Sequence, residues 1–179
     1  MNVDIEKIKF PIGRYMKPEA FNVAVMNDAI CTLEELPQKL RTATQDLSEE
    51  QLNTPYREGG WTIRQVVHHI ADSHINGYIR MKLAVTESIP TIKSYDQDKW
   101  ATLYDSMHAP ISISLDLIEA LHQRWVHFLR SLEGRDFRKK FHHPESNQNQ
   151  SLGLWLTIYA WHSDHHLSHI TQLRERLHW

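Results

Sequence analysis

Residues 159–170 read YAWHSDHHLSHI, and four histidines fall within eight positions of this stretch. His162 and His166 form one pair four residues apart, and His165 and His169 form a second pair. Side chains four residues apart on an α-helix lie on one face, one turn apart. Two imidazoles placed in this way can bind one metal ion through ring nitrogens, at roughly 2.0–2.1 Å for zinc. The stretch therefore predicts a helix that carries a metal site.

This helix is predicted from about Ser151 to Leu177, and its two faces differ. The face of His162 and His166 stays apolar beyond both residues, whereas the face of His165 turns polar. Imidazoles on an apolar face need polar partners when they are buried. We therefore expect His162 and His166 to point into the core and to bind the metal.

The helix that precedes Pro90 has a well-marked start. Thr62 and Gln65 fit a capping box, and the proline ends the helical pattern. Three histidines of this helix are candidates for a third ligand: His68, His69 and His74. Periodicity alone ranks His74 first, because it falls near the centre of the apolar stripe.

Two further helices are predicted from apolar periodicity. One covers residues 26–47, where Pro37 predicts a kink or a break. The other runs from about Ser114 to Leu132, with Gly134 as the residue that ends it. This helix adds two less favoured candidate ligands, His122 and His127.

The segments between these helices differ in length. Residues 90–112 form a long connection with a short helix around Trp100, and such length is uncommon unless the segment covers a site. Residues 142–150 are predicted as a polar loop and residues 1–18 as an extended N-terminal arm. Four long amphipathic helices predict an all-α, up-down four-helix bundle, with the long connection between its second and third helices and with 1–179 as a single domain.

Composition excludes several classes of protein. The formal net charge of the 179 residues is −2, and no broad basic stripe indicates nucleic-acid binding. No apolar run approaches the ~20 residues that span a bilayer, and no secretory signal is visible. Cys31 is alone, which excludes an intrachain disulfide and a cysteine-based zinc site. We expect a cytoplasmic protein without nucleic-acid or membrane partners.

Residues 53–74, which read NTPYREGGWTIRQVVHHIADSH, and residues 159–170 resemble the signature of the YfiT branch of the DinB superfamily. Residues 10–15, FPIGRY, are similar to the N-terminal arm of that family. The resemblance covers essentially the whole chain. It implies a four-helix bundle that binds one divalent metal through three histidines, which are His69, His162 and His166. It thus replaces His74 by His69, and the one visible departure is Asp164, where the family commonly has histidine.

The predicted site suits Lewis-acid chemistry. Three neutral imidazoles plus water resemble open zinc sites, in which the pKa of the bound water falls toward ~7. We expect Zn²⁺, with Ni²⁺ or Fe²⁺ as alternatives that imidazole also accepts. Ser163 stands where a His-Glu-x-x-His motif would have its glutamate, so that general base is absent. Three carboxylates are candidates for the base: Asp72, Asp164 and Glu58.

Three functions remain open at this point. The first is a metal-dependent hydrolase that activates water against a small-molecule substrate. The second is an S-transferase that ionises a low-molecular-weight thiol such as bacillithiol, as the resemblance suggests. The third is a structural or sensory metal protein, in which His68 or His165 would complete a closed site. The resemblance also suggests a homodimer.

Overall fold

The computed structural model describes residues 5–179 of the chain, so the first four residues of the predicted arm lie outside it. Most of the described chain is helical, and four helices are long. The elements in chain order are α1 (Ile5–Lys9), α2 (Val23–Thr44), α3 (Glu49–Leu52), α4 (Ile63–Thr86), α5 (Gln97–Ala101), α6 (Tyr104–His108), α7 (Ile111–Arg130), a 3₁₀ helix (Asp136–Arg138), β1 (Lys140–His143), β2 (Gln148–Ser151) and α8 (Leu152–Leu177).

Local hydrogen bonds fix the starts of the two helices that matter most for the site. At α4, the Gln65 backbone N–H donates to Thr62 Oγ1 at 3.2 Å, and the Thr62 N–H donates to Gln65 Oε1 at 2.9 Å. At α8, the Leu154 N–H donates to Ser151 Oγ at 3.2 Å. These caps satisfy N–H groups that the first turn of a helix leaves unpaired. The predicted capping box at Thr62 is confirmed, as is the start of α8.

α2 continues through Pro37, so of the kink or break predicted at this residue the break is absent. The ring of proline removes the N–H that would donate to the carbonyl of Leu33, four residues earlier. That carbonyl instead accepts a hydrogen bond from the side chain of His122 on α7, at 2.5 Å. A donor from another helix thus replaces the missing one, and α2 continues to Thr44.

Two buried clusters of apolar side chains give the direction of each long helix. One cluster contains Leu40 of α2, Ile63 of α4, Ile118 of α7 and Ile170 of α8. The other contains Met26 of α2, Met81 of α4, Leu129 of α7 and Leu156 of α8. Since α2 and α8 lead from the second cluster to the first, and α4 and α7 lead from the first to the second, the order of directions is up, down, down, up.

The closest helix pairs are α2 with α8 and α7, and α4 with α7 and α8. The predicted all-α four-helix bundle with a long connection between its second and third long helices is confirmed. The helix directions, up, down, down, up, differ from the alternating directions of a simple up-down bundle. They also explain why the connection between α4 and α7 is long. Because α4 and α7 point the same way, residues 87–110 return along the bundle beside α4 before α7 can begin.

Both ends of the third long helix differ from the prediction. The third long helix begins at Ile111 and ends at Arg130 with Ser131 as its C-cap, so Gly134 does not end it. The predicted short helix around Trp100 is present as α5, and α6 follows it.

Within residues 5–179, none of the helices combines the length and the apolar character needed to cross a bilayer.

The segment 142–150, predicted as a polar loop, forms most of an antiparallel hairpin. β1 pairs with β2, and His143 faces Gln148 across the turn. Asn147 turns the chain at φ 49°, in the left-handed region that asparagine tolerates better than most residues. The prediction failed because the strands have four residues each and mostly polar side chains, so no apolar alternation marks them.

Candidate metal centre

The structure brings His69 of α4 together with His162 and His166 of α8. One ring nitrogen of each lies within 4.8 Å of the others, and His69 Nε2 is 3.1 Å from His162 Nε2. Two nitrogens bound to one zinc ion at tetrahedral angles would be ~3.3 Å apart. The spacing of the three imidazoles therefore fits one metal ion, with one ligand from α4 and two from α8.

Burial keeps these imidazoles neutral. Removal from water lowers the pKa of His69 to about 4, with a further contribution from His165. Burial also lowers the pKa values of His162 and His166 well below the usual range, with neighbouring imidazoles adding to the effect. A neutral imidazole has one free lone pair and no charge to repel a cation. The cluster thus presents three lone pairs, the form in which histidine binds metals.

A chain of hydrogen bonds leads away from His162 into the core. His162 Nδ1 lies 3.2 Å from His74 Nε2, and His74 Nδ1 lies 2.8 Å from His122 Nε2. The chain ends at the Leu33 carbonyl, 2.5 Å from His122 Nδ1. His74 and His122 are almost completely buried, at 0% and 1% exposure, and burial lowers the pKa of both.

This chain determines which nitrogen carries each proton. A carbonyl only accepts, so His122 must carry its proton on Nδ1 and accept on Nε2. His74 then donates from Nδ1 and accepts on Nε2, and His162 donates from Nδ1. The lone pair of His162 is thereby left on Nε2, the nitrogen that faces His69. Hydrogen bonds that fix the tautomer and the ring orientation in this way accompany most histidine ligands of metals.

The turn before α4 places one aromatic ring against two of the histidines. The Gly60 N–H donates to the Arg57 carbonyl at 3.0 Å, and Gly59 adopts φ 63°, which favours glycine. Trp61 then packs on His69 with ring centroids 4.5 Å apart. Its ring is also stacked with that of His166, at 6.2 Å. This tight turn thus places Trp61 over the histidine cluster.

A second group of histidines overlaps the first. His165, His166 and His169 also have ring nitrogens within 4.8 Å of one another, and all three are buried. The N-terminal arm covers this group, because the Lys9 carbonyl lies 3.3 Å from His169 Nε2 and the Phe10 ring packs on His165. His166 belongs to both groups and has a single lone pair as a neutral ring. The two groups are therefore alternatives for one ion.

The other histidines considered from the sequence are engaged elsewhere or exposed. His68 Nδ1 lies 2.7 Å from Ser114 Oγ, and its Nε2 lies 3.1 Å from the Ala109 carbonyl. His127 is exposed on α7. His74, ranked first by periodicity, does lie in the centre of the core, but it contacts His162 rather than completing the cluster.

None of the three candidate bases lies on the described walls of the cavities beside the histidines. Burial raises the pKa of Asp72 to about 6, and Asp105 contributes to the shift. Burial also raises the pKa of Asp164, whose charged neighbours are Lys39 and Glu35 of α2. Glu58 is exposed in the turn before α4.

Two cavities meet at His162, with volumes of ≈ 620 Å³ and ≈ 580 Å³. The larger one lies between α4, α8 and the β-hairpin, and Arg80 and His143 line it. The smaller one contains His166 and the second histidine group. Gln97, at the start of α5, lines both cavities. The long connection therefore contributes to the walls around the histidines, as its length suggested.

Comparison with known proteins agrees with this geometry. The family model that describes the DinB superfamily matches residues 32–170, which include all three clustered histidines. The chain belongs to the DinB superfamily.

Relatives in this superfamily cover nearly the whole chain. A protein of Oceanobacillus iheyensis is 52% identical over 171 residues, which are 96% of this chain and 98% of that one. A protein of Bacillus mycoides is 49% identical over 175 residues, which are 98% of this chain and 100% of that one. Both carry the name "Putative metal-dependent hydrolase".

A solved DinB-like structure shares the fold. YfiT from Bacillus subtilis superposes with a TM-score of 0.94 at 46% identity, over 97% of this chain and 99% of that one. It is described as a probable metal-dependent hydrolase with an unusual four-helix bundle topology. The family resemblance found in the sequence is thus confirmed, and the up, down, down, up order of the long helices gives this bundle its own topology.

Proposed function

We propose that this DinB protein is a metal-dependent hydrolase and that His69, His162 and His166 bind its single divalent metal ion. The observation that carries the proposal is the convergence of three neutral imidazoles from two helices, with His69 Nε2 and His162 Nε2 only 3.1 Å apart. The names of close relatives support a metal-dependent activity.

The overlapping group of His165, His166 and His169 is the weaker candidate for the ion. All three of its members come from α8, whereas the proposed set also includes His69 of α4. Only the proposed set contains His162, whose Nε2 lone pair the core hydrogen bonds leave free.

A divalent metal held by three imidazoles supplies Lewis acidity, which ionises water near neutral pH and polarises a carbonyl group. Three histidines leave a position open for such chemistry, whereas a fourth protein ligand would close it. His68, one of the two candidates for a fourth ligand, is already bonded through both ring nitrogens. This argues against His68 as a fourth ligand and leaves His165 as the candidate for a closed site, whose Nδ1 is buried without a hydrogen-bond partner. We propose Zn²⁺ as the ion, with Ni²⁺ and Fe²⁺ as alternatives.

The residues around the histidines hold and screen the site. His74 orients the ring of His162, and Trp61 covers His69 and His166. The two cavities that meet at His162 leave room for a small molecule on either side of the cluster. A substrate can therefore extend in two directions from the reacting bond.

The test uses untagged protein purified without a nickel column. We expect one metal ion per chain by elemental analysis, and cleavage of model esters or amides that does not need a thiol. Activity that appears only when a low-molecular-weight thiol is supplied would contradict the hydrolase proposal and support the S-transferase function. Metal binding without turnover in either assay would support the structural or sensory alternative, and metal-free protein would contradict all three.

The homodimer that the resemblance suggests stays a proposal. Exposed apolar side chains lie on α6 and at the residue before it, with Tyr104 81% and Leu103 53% exposed. Sedimentation analysis of the wild type and of Tyr104→Ser would test whether this surface joins two copies.

A further inference from the structure

The larger cavity beside His162 contains a buried guanidinium group, that of Arg80. We refer to it as the Arg80 cavity, and its inner walls are formed by Ser73, Arg80, Tyr95, His143, Trp155 and Tyr159. Arg80 is only 8% exposed. Its Nη2 donates to the Lys93 carbonyl at 3.0 Å, and Nε has no hydrogen-bond partner. Within residues 5–179, no carboxylate forms an ion pair with it.

A buried charge without a counter-charge is costly. Arginine cannot lose its proton in a protein, so burial does not neutralise it. Buried arginines are therefore normally paired with an anion. The ring of Trp155, 5.7 Å from the guanidinium carbon, supplies a partial negative surface but not a counter-ion. The cavity thus contains a buried guanidinium group that has no anion paired with it.

A second residue of the same cavity also has an unpaired nitrogen. His143, on β1, is 9% exposed, and its Nδ1 is buried without a hydrogen-bond partner. Its ring is stacked on that of Trp155, with centroids 5.3 Å apart and planes at 10°. Arg80 and His143 therefore contact the same indole, and both have a nitrogen without a protein partner.

The acidic residues of the cavity do not pair with Arg80. Asp96 is exposed at the rim, where it forms an ion pair with Lys99 at 3.1 Å. Glu145 is exposed in the turn of the β-hairpin. Among the described residues that line the cavity, those with charge at the rim are acidic, and Arg80 is the charged residue of the inner walls.

We propose that the Arg80 cavity binds a carboxylate group of the substrate while the reacting bond lies at the three histidines. His162 lines this cavity and also belongs to the histidine cluster, so one molecule can reach both. A guanidinium fork matches a carboxylate with two parallel hydrogen bonds. A single arginine with one neutral imidazole suits one negative charge better than a doubly charged phosphate. The proposal rests on the proposed function and narrows its substrates to acidic amides or esters.

The first experiment tests the cavity without metal. Metal-free protein is titrated with succinamate, which carries one carboxylate, and with succinamide, its neutral analogue, by NMR chemical shifts. We expect succinamate to bind more tightly and Arg80→Gln to lose at least about tenfold in its affinity, since hydrogen bonds to charged groups are strong. Glu145→Gln, at the rim of the same cavity, should bind succinamate as tightly as the wild type or more tightly.

Arg80→Lys covers the case in which Arg80→Gln does not fold. It keeps the charge but not the fork, so succinamate should bind more weakly than to the wild type and more tightly than succinamide. Equal affinity for succinamate and succinamide in the wild type would overturn the proposal. Tighter binding of inorganic phosphate than of succinamate, lost in the Arg80 variants, would overturn the assignment to carboxylate.

The second experiment separates this inference from the proposed function. Metal-loaded protein is titrated with acetohydroxamate, which binds metals, and with the monohydroxamate of succinic acid, which adds a carboxylate. Tighter binding of the second probe, lost in Arg80→Gln, supports both proposals. Binding of both probes with equal affinity overturns only the carboxylate subsite. Failure of acetohydroxamate to bind overturns the open metal site, while the succinamate titration still decides the subsite.

Discussion

The carbonyl oxygen of Leu33 accepts a hydrogen bond from His122 Nδ1 at 2.5 Å, at the position where Pro37 provides no helical donor. From His122 the chain of imidazoles continues through His74 to His162. A proline on α2, a helix that contributes no residue to the histidine cluster, thereby helps to set which nitrogen of His162 is free.

His122→Leu should weaken metal binding without removing any proposed ligand. The variant leaves His74 without its acceptor, so the proton of His162 is no longer confined to Nδ1. Loss of such supporting hydrogen bonds typically reduces metal affinity 10–100-fold. The measurement is the dissociation constant for Zn²⁺, together with ¹⁵N shifts that report the tautomer of His162. His127→Leu, exposed on the same helix, is the matched control, and equal affinities in the two variants would refute the role of the chain.

Alanine substitutions distinguish the two overlapping histidine groups. His69 belongs only to the proposed set, and His165 belongs only to the alternative set. His69→Ala and His162→Ala should each lose most of the bound metal, whereas His165→Ala and His178→Ala should keep it. Elemental analysis after dialysis gives the answer. Metal retained in His69→Ala but lost in His165→Ala would move the ion to the α8 group.

Acid should destabilise the metal-free protein over a defined range. The pKa of His122 is lowered to about 4, mainly by burial, and that of His69 is lowered to about 4 for the same reason. In the unfolded chain these groups titrate near 6.5. Between about pH 6.5 and pH 4 the unfolded state binds more protons, so the free energy of unfolding falls as pH falls.

Each of these two histidines contributes about 3 kcal/mol to that fall, because one pKa unit corresponds to 1.36 kcal/mol. Above pH 6.5 both states are neutral and the contribution is fully present. Urea denaturation at several pH values measures the slope, and His122→Leu should show a shallower slope than the wild type. Identical slopes would mean that His122 is not held neutral in the fold.

Gly77→Ala should disturb the wall of the Arg80 cavity. A Cβ at this position would lie 2.4 Å from the ring of Tyr159, whose hydroxyl donates to the Ser73 carbonyl at 3.1 Å. Overpacking of this kind costs about 1–3 kcal/mol, and the better helix propensity of alanine offsets up to about 1 kcal/mol. We expect a lower midpoint of thermal unfolding. Gly134→Ala, with no atom within 4 Å of the added methyl group, should unfold like the wild type.

Local signals in the sequence were sufficient for much of the fold. The capping box of Thr62 and Gln65 lies within one turn of its own helix, so neighbouring residues in the sequence reveal it. The pairing of His162 with His166 follows from helix geometry alone. The choice of His69 needed the family resemblance, because periodicity favours His74, which lies deeper in the core.

Other features depend on contacts between distant segments. The role of His74 becomes visible only when α7 places His122 beside it. The break considered at Pro37 is absent because the hydrogen bond to the Leu33 carbonyl comes from another helix. The unpaired charge of Arg80 depends on the hairpin and on the connection after α4, neither of which carries an apolar period. A polar segment of this kind has no sequence pattern that fixes its position.

The parallel arrangement of α2 and α8 has a consequence for synthesis on the ribosome. α2 packs more extensively on α8 than on any other helix, yet more than 100 residues separate the two in the chain. Contacts between such distant segments form late and slow down folding. During translation, α2, α4 and α7 leave the ribosome before α8 does, so the surface of α2 that packs on α8 is still exposed. At that stage His69 lacks His162 and His166, which lie on α8. The histidine cluster is therefore assembled only after α8 has left the exit tunnel, so the nascent chain has no complete site at which to trap a metal ion.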